Sequence, residues 1–192
     1  VVTVPADDVA GDADDLIVTV DDDDSLAVQS TTAGVGDDSE EEVLVETPEL
    51  PGMGAMTLTL TDTAEPVDTP FEVSTDRLSN GLVTVSLEGD GTVSVYDEEH
   101  DRSVLDEPGN RLMLYRDQPR YFEAWDIEED VYEVGDQLPA PETTVAESGP
   151  VRATVRQTRS FGDSSLVQEI SLYRDSKRVE FRTEIDWHEE EK

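Results

Sequence analysis

Residues 151–187, VRATVRQTRSFGDSSLVQEISLYRDSKRVEFRTEIDW, decide the fold of this chain. Apolar and polar residues alternate along three runs of this stretch, which is the pattern of strands with one buried and one solvated face. Two short segments, GDSS (162–165) and RDSK (174–177), separate the runs and are typical of turns. The stretch therefore predicts a three-stranded antiparallel meander, with strands at 151–161, 166–173 and 178–187.

The last of these runs indicates which face of the meander enters the core. Every second position in this run is apolar, apart from one threonine, and the positions between them are charged. Side chains that alternate along a strand point to opposite faces of the sheet. We therefore expect one core-facing row, formed by Val179, Phe181, Thr183, Ile185 and Trp187.

The rest of the chain also predicts short strands. Residues 82–96 contain two alternating segments around Asp90-Gly91, which is a hairpin signal. Nearer the N-terminus, three segments are β-branched or alternate between apolar and polar residues. No segment longer than about two turns has an apolar period of 3.6 residues. We therefore predict an all-β protein, an antiparallel β-sandwich, whose N-terminal strands lie at 16–20, 42–46 and 56–61.

Charge and proline divide the chain into two parts. Residues 1–76 contain 21 acids and no Lys or Arg, whereas all 13 bases lie within 77–192. Close to this change, the segment AEPVDTP (64–70) carries two prolines, which disfavour both a helix and a central strand. We predict a small β-sandwich domain over 1–63, a linker over 64–70 and the first part of a larger β-sandwich domain over 71–192.

The formal charge of −35 excludes several partners. Such an acidic chain has no basic patch for nucleic acid or an anionic membrane, and no apolar run approaches the roughly 18–20 residues of a spanning helix. The chain has no cysteine, which excludes disulfides and thiolate metal sites. Its N-terminus lacks a basic segment followed by a long apolar one, so we expect no signal peptide and a cytoplasmic protein.

Three interpretations account for the acidity. Intrinsic disorder predicts no apolar periodicity, but this chain has a clear one. A halophilic protein carries a carboxylate-rich surface, whose self-repulsion is screened at about 1 M salt because the Debye length is then about 3 Å. The periodicity favours the halophilic interpretation over disorder, and an acidic mesophilic protein is the third.

The sequence contains no recognisable catalytic or metal-binding motif. Zinc-protease, phosphate-loop, dinucleotide and serine-hydrolase signatures are absent, and His100 and His188 lie far apart. Paired carboxylates suit glycoside hydrolysis, but 48 acids place such pairs in every neighbourhood. The acidic run at 21–24 lacks the spacing of a calcium loop and is better explained as a solvated loop. We predict no catalytic residue and no metal site among these residues.

Residues 109–127, GNRLMLYRDQPRYFEAWDI, gather aromatic and arginine side chains in a segment expected to be mostly loop. Arg111 can donate two parallel hydrogen bonds, Asp126 can accept from vicinal hydroxyls, and Trp125 offers an apolar face. Sugars bind to groups of these kinds, so Arg111, Trp125 and Asp126 are candidates for binding a sugar. The alternative is structural, with the aromatic side chains closing the edge of the sandwich and Arg111 and Asp126 in ion pairs.

Several short motifs resemble the C-terminal β-domains of family 38 glycoside hydrolases, the α-mannosidases of bacterial and archaeal type. The resemblance is strong from about Leu78 onward. Before it, Val28-Gln29 and PGMG (51–54) resemble the small β-domain that precedes the sandwich in that family. The matching motifs are LSNGLVTV (78–85), GTVSVYD (91–97), PGNRL (108–112), AWDI (124–127), YRDS (173–176) and IDWHE (185–189).

The resemblance implies a partial sandwich of the mannosidase C-terminal, galactose-mutarotase-like type, which continues beyond Lys192. It also implies that catalysis belongs to an N-terminal α/β domain outside these residues, with an aspartate nucleophile and a divalent metal in a zinc-type site held by His and Asp. The parent protein would then hydrolyse α-mannosides with retention. The expected partners are an α-mannoside and the protein's own catalytic domain, and a homo-oligomer stays open. The resemblance also places the segment after Pro108-Gly109-Asn110 near the mouth of the catalytic domain, so Arg111, Trp125 and Asp126 are expected to bind substrate as part of its sugar-binding wall.

A second hypothesis belongs to a different class of protein. The chain would then be a non-catalytic adhesion or cell-surface module of a halophile. The AWDI and IDWHE motifs favour the mannosidase hypothesis. The two hypotheses differ in what the gene encodes upstream, which is a metal-binding α/β domain in one case and a secretion signal with sandwich repeats in the other.

Overall fold

The structure is a computed structural model that describes residues 1–6, 17–20, 24–33, 40–48, 52, 59–61, 68–118 and 135–192; for residues 17–20, 24–25, 33, 40 and 59–61 it describes the backbone alone. Within these ranges the chain forms β-strands and no α-helix. The strand pairs there are all antiparallel. The all-β antiparallel fold predicted from alternation is therefore confirmed. No helix in the described part of the chain is long and apolar enough to cross a membrane.

Two three-stranded sheets form from the N-terminal third of the chain. Their strands are β1 (Val2–Pro5), β2 (Ile17–Val20), β3 (Asp24–Leu26), β4 (Val28–Ala33), β5 (Glu40–Val45) and β6 (Thr59–Thr61). The strand orders are β1-β5-β4 and β3-β2-β6. Only Ala27 separates β3 from β4, so the chain passes directly from one sheet to the other. Val43 and Val45 are buried and pack against Leu26 and Val28, which joins the two sheets.

A five-stranded meander follows. Its strands are β7 (Glu72–Val73), β8 (Arg77–Ser79), β9 (Val83–Leu87), β10 (Val93–Asp97) and β11 (Arg102–Ser103). They lie side by side in chain order, as short turns between antiparallel strands allow. The predicted hairpin at Asp90-Gly91 joins β9 to β10, and Gly91 has a φ of 86°, which an L side chain rarely adopts.

The C-terminal part of the chain forms a two-stranded and a four-stranded sheet. Their strands are β12 (Met113–Tyr115), β13 (Gly135–Gln137), β14 (Glu142–Ser148), β15 (Arg152–Phe161), β16 (Ser164–Tyr173) and β17 (Val179–Asp186). The order β14-β15-β16-β17 contains the predicted meander with one strand added before it. Val155 pairs with Ile170, and Ile170 pairs with Phe181, so the rows predicted from alternation share one face.

The main core lies between the five-stranded and the four-stranded sheet. Alternate residues of β8, β9 and β10 pack against alternate residues of β15 and β16. This arrangement is a sandwich of two antiparallel sheets, as predicted. The buried apolar residues of this core are Phe71, Leu78, Val83, Val85, Leu87, Val93, Ala153, Val155, Ile170 and Leu172.

The expectation of a buried apolar row along β17 is wrong for most of the strand. Val179 packs against the core, but Phe181, Ile185 and Trp187 are 43, 52 and 44% exposed. The reason is position, because β17 is the outer strand of its sheet in the described part of the chain and the opposite sheet covers β15 and β16. Trp187 instead makes an edge-to-face contact with Phe161, with ring centroids 5.8 Å apart.

Of the predicted linker, residues 68–70 are described and have no regular secondary structure, while 64–67 lie outside the described residues. Thr69 Oγ1 donates to the carbonyl of Gly149, and Arg174 Nη1 donates to the carbonyl of Asp68. This segment therefore lies against the turns of the larger sandwich. The domain boundary itself stays a prediction.

Candidate functional site

Of the three residues predicted to bind substrate, the structure describes one. Arg111 is exposed on the segment that leads from Asn110 into β12. Trp125 and Asp126 lie outside the described residues. The proposed sugar-binding set therefore stays a prediction, and so does its structural alternative.

Two polar residues that sequence reasoning missed lie near Arg111. Asp90 accepts hydrogen bonds from the backbone N and the hydroxyl of Thr92, at 3.0 and 2.7 Å, and from Gln137 Nε2 at 3.1 Å. These hydrogen bonds from Thr92 and Gln137, with a smaller contribution from the charge of Arg111, lower the pKa of Asp90 to about 2. Local sequence gave no signal for Gln137, because the pairing of β12 with β13 brings it here.

Two of the motifs that carry the family resemblance meet at one end of the sandwich. Asn80 is buried in the turn between β8 and β9, and its Oδ1 accepts from the backbone N of Leu82 and Val83, both at 3.0 Å. Its Nδ2 donates to the carbonyls of Tyr173 and Ser176, at 2.8 and 2.7 Å. Asn80 therefore ties the LSNG turn to the YRDS turn, which is a structural role.

Lys177 makes a second link at the same end. Its Nζ lies 2.7 Å from Asp97 Oδ1, 2.5 Å from Glu99 Oε2 and 3.3 Å from His100 Nδ1. Asp97 Oδ2 also lies 2.9 Å from His100 Nδ1. The hydrogen bond from Lys177, followed by those from His100, lowers the pKa of Asp97 to about 2. Hydrogen bonds to Asp97 and Glu99 raise the pKa of Lys177 in turn.

This cluster is also the place where the described residues come closest to a metal site. Ligand atoms of Asp97, Glu99 and His100 lie within 4.8 Å of one another. The ammonium group of Lys177 stands among them and supplies the positive charge that a cation would supply. The cluster therefore does not fit the zinc-type ion that the family resemblance implies for the catalytic domain.

The N-terminal strands join the sandwich through a buried polar junction, formed by β4, the β14–β15 turn and the start of β15. Gln29 is 7% exposed, and its Oε1 accepts from the backbone N of Val151 and Arg152, at 3.0 and 2.7 Å. A Cβ on Gly149 would lie 2.3 Å from Gln29 Cδ, so glycine there lets the amide enter. Ala27, Leu44 and Val151 are buried together beside it.

An ion pair completes the junction. Arg152 donates from Nε and Nη2 to the two oxygens of Glu147, both at 2.7 Å, which is the bidentate geometry that favours arginine. Thr31 of β4 contacts both residues, through hydrogen bonds with Glu147 Oε1 and Arg152 Nη2. Burial favours the neutral form of Glu147, but the hydrogen bonds from Arg152 and Thr31 outweigh it and lower the pKa of Glu147.

Two clefts flank this junction. One of about 440 Å³ is lined by Val1, Glu46, Tyr173 and Arg178, among others. The other, of about 240 Å³, is lined by Glu42, Arg152, Tyr173 and Arg182, among others. Sequence reasoning predicted neither cleft, because each combines N-terminal strands with β16 and β17.

The carboxylates of Asp97, which is buried, and Glu147, which is half-buried, serve structure. A glycosidase needs a carboxyl group with a raised pKa as its proton donor. Asp97 and Glu147 have lowered pKa values instead, because Lys177 and Arg152 bind their ionised forms. Their geometry suits cross-linking of strands and does not suit proton transfer.

The described residues form an antiparallel β-sandwich, and its ion pairs link strands and turns. These features define a structural β-domain. Residues 78–192 match the family model described as "Glycosyl hydrolases family 38 C-terminal domain", which covers more than half of the chain. The chain therefore belongs to this family, as the motifs quoted above predicted. The non-catalytic β-domain predicted from the sequence agrees with this match.

Individual relatives agree with the family match. Alpha-mannosidase G of Dictyostelium discoideum is 26% identical over an alignment of 126 positions, which covers 60% of this chain and 11% of that protein. An α-mannosidase structure from Enterococcus faecalis V583 superposes with a TM-score of 0.54 over 92% of this chain, at 12% identity. A glycosyl hydrolase family 38 structure from Enterococcus faecalis gives 0.60 over 98%, also at 12% identity.

These structures are too distant in sequence to show more than a shared fold. The chain covers 25 and 29% of the two solved chains and about one ninth of the curated relative. The comparisons therefore concern the β-region of much longer proteins.

Proposed function

We propose that this chain is the supporting β-region of a retaining α-mannosidase, whose activity requires a catalytic domain outside these residues. The observation that carries the proposal is the family match over 78–192, together with the similarity to an α-mannosidase over 126 residues. In this proposal the substrate is an α-mannoside and the direct partner is the catalytic domain of the same protein. In the proposal the protein is located in the cytoplasm, and it is either a monomer or a homo-oligomer.

The charges of the described residues support a non-catalytic role. Glu147 and Asp97 are held ionised by bound cations, so neither is suited to protonate a glycosidic oxygen at neutral pH. The cluster that comes closest to a metal site already holds the ammonium of Lys177. In the proposal, a divalent, zinc-type cofactor belongs to the catalytic domain.

The finer part of the proposal concerns the sugar-binding wall. Arg111 is exposed beside the ionised Asp90, so its guanidinium is accessible from solvent. In the proposal Arg111 donates to a sugar hydroxyl, Asp126 accepts from a vicinal pair and Trp125 packs on the ring. These three residues then complete a wall whose other side belongs to the catalytic domain.

The activity of the chain alone tests the non-catalytic role. We expect the purified 192-residue chain, supplemented with zinc or another divalent ion in molar KCl, to leave an aryl α-mannoside uncleaved above the buffer background. The protein with its upstream domain should hydrolyse the same substrate, and the product should keep the α-configuration by NMR. Hydrolysis by the 192-residue chain would contradict the proposed role.

A substitution in the longer protein tests the binding wall. We expect Asp126→Asn to lower kcat/KM for an aryl α-mannoside without changing the melting temperature of the 192-residue chain. Asp163→Asn, on the exposed β15–β16 turn, is the matched control and should leave kcat/KM unchanged. An unchanged kcat/KM in Asp126→Asn would remove this residue from the site. The sequence of the gene upstream of these residues separates the two classes of protein. A secretion signal followed by sandwich repeats there would favour an adhesion module.

A further inference from the structure

Asn110 holds its backbone in a conformation that few side chains adopt. Its φ is 58°, in the left-handed region that favours glycine and, after it, asparagine. The residue before it, Gly109, pairs with Val93 of β10 through two backbone hydrogen bonds, of 2.8 and 3.0 Å. The chain therefore changes direction at Asn110, immediately before Arg111.

The side chain of Asn110 connects the two sheets of the sandwich. Its Nδ2 donates to the carbonyl of Gly91 at 3.0 Å, in the β9–β10 turn, and to Gln168 Oε1 at 2.7 Å, on β16. The amide nitrogen carries two hydrogens, so both bonds form at once. Gln168 is 3% exposed and donates in turn to Thr183 of β17 at 2.9 Å. A contact with a buried side chain therefore stabilises the unusual backbone conformation of Asn110.

The direction of Arg111 is set by its backbone. Its side chain is exposed, and no hydrogen bond or ion pair within the described part of the chain involves its guanidinium. The backbone is fixed on both sides, by Asn110 and by Leu112, whose carbonyl accepts a backbone hydrogen bond of 2.9 Å. Asp90, in the turn that Asn110 binds, acts on the guanidinium through its charge. The direction in which Arg111 leaves the sandwich therefore depends on Asn110.

We propose that Asn110 is a positioning residue for sugar binding, which orients the guanidinium of Arg111 towards a substrate hydroxyl. This inference rests on the proposed function, in which Arg111 donates to the sugar. A hydrogen bond weakens steeply when its angle is poor, so the direction of the donor matters. A backbone that is fixed in advance also reduces the conformational freedom lost on binding. Asn110 itself touches no substrate in this proposal and acts through Arg111.

The test measures the coupling between the two residues in the protein with its upstream domain. We expect Arg111→Met to lower kcat/KM for an aryl α-mannoside by about tenfold or more, because a charge-assisted hydrogen bond is lost. Asn110→Asp keeps the shape of the side chain and replaces its two donors by an acceptor. We expect Asn110→Asp to lower kcat/KM by about fivefold in the otherwise unaltered protein and by less than about twofold in the Arg111→Met background, because its effect passes through Arg111.

Asn80→Asp is the matched control. Asn80 is likewise an asparagine whose Nδ2 donates to two carbonyl oxygens, but it lies in the β8–β9 turn, at the other end of β9 from the turn that Asn110 binds. We expect Asn80→Asp to lower the melting temperature at least as much as Asn110→Asp does. Assayed below both melting temperatures, it should keep kcat/KM within about twofold of the unaltered protein, because the two sites are distant.

Asn110→Gly is a second variant, which serves if Asn110→Asp does not fold. Glycine adopts the positive φ freely, so only the amide is lost. We expect Asn110→Gly to divide its loss between KM and kcat as Arg111→Met does, since both weaken the same contact. No loss in the Asn110 variants, or equal losses in the two Arg111 backgrounds, would overturn this inference alone. An unchanged kcat/KM in Arg111→Met would overturn both this inference and the proposed sugar-binding wall.

Discussion

Gln29 accepts a hydrogen bond from the backbone N of Val151, 122 positions later in the chain, at 3.0 Å. The same oxygen accepts from Arg152, so one amide satisfies two buried donors at the start of β15. Because an unsatisfied buried N–H is costly, the N-terminal strands and the sandwich stabilise each other. The two predicted domains are thus coupled through a specific contact.

We expect Gln29→Met to destabilise the chain by about 1–3 kcal/mol, since it keeps the shape of the side chain and removes the acceptor for two backbone donors. The measurement is the free energy of unfolding by denaturant in molar KCl. Gln118→Met, at an exposed position, is the control and should stay within about 0.5 kcal/mol of the unaltered chain. A Gln29 variant as stable as this control would show that the junction contributes nothing to folding.

Arg152→Met should cost about 3 kcal/mol, because it leaves Glu147, whose side chain is only 16% exposed, without its cation. The double variant Arg152→Met with Glu147→Gln should lose much less than the two single variants together, because neither charge is then left alone. Urea unfolding of the four proteins gives the coupling energy. Additive losses would mean that the pair does not interact as the geometry indicates.

The same pair predicts a pH dependence with a definite sign. The pKa of Glu147 is lower in the folded chain than its ordinary 4.5, so its contribution to stability is full above pH 4.5 and is lost as the pH falls through the folded value. We expect the stability difference between the unaltered chain and Glu147→Gln to be constant from pH 8 to about 5 and to shrink below that. A difference that grows on acidification would contradict the lowered pKa.

Lys177→Met should raise the pKa of Asp97 from about 2 towards its ordinary value of 3.8, because it removes the strongest hydrogen bond to the carboxylate. Carbon-detected NMR titration of the aspartate side chains in molar KCl measures this directly. Lys192→Met is the control, since Lys192 binds Glu189 and lies outside the cluster. An unchanged Asp97 titration would mean that His100 and the backbone hold the carboxylate without the ammonium.

Folding should depend on salt. With a formal charge of −35, the compact chain repels itself when the Debye length grows from about 3 Å at 1 M to about 10 Å at 0.1 M. We expect β-type circular dichroism in 1 M KCl and its partial or complete loss at 0.1 M. A melting temperature that is the same at both concentrations would count against the halophilic interpretation.

The sequence predicted the strands and turns that are determined by residues close together in the chain. Alternation along residues 151–187 predicted β15, β16 and β17 and their shared faces, because side chains on a strand must point alternately to its two sides. Asp90-Gly91 predicted the hairpin, because glycine adopts the positive φ of the turn at no steric cost. The motifs around Asn80 and Tyr173 predicted the family, and the structure shows why they go together, since Asn80 binds the turn that contains Tyr173.

Only the tertiary structure decided which side chains are buried, because burial depends on the sheet that lies opposite. Alternation placed Phe181 and Ile185 in a core-facing row, yet both are exposed, because burial requires an opposing sheet and β17 lies beyond the strands that cover β15 and β16. Likewise, alternation places Arg159 on the same face of β15 as Val155, but it does not show that Arg159 is buried, because Gly91 and Pro139, which are distant in the chain, lie against it. A strand's own sequence determines which side chains share a face, and only packing determines what that face meets.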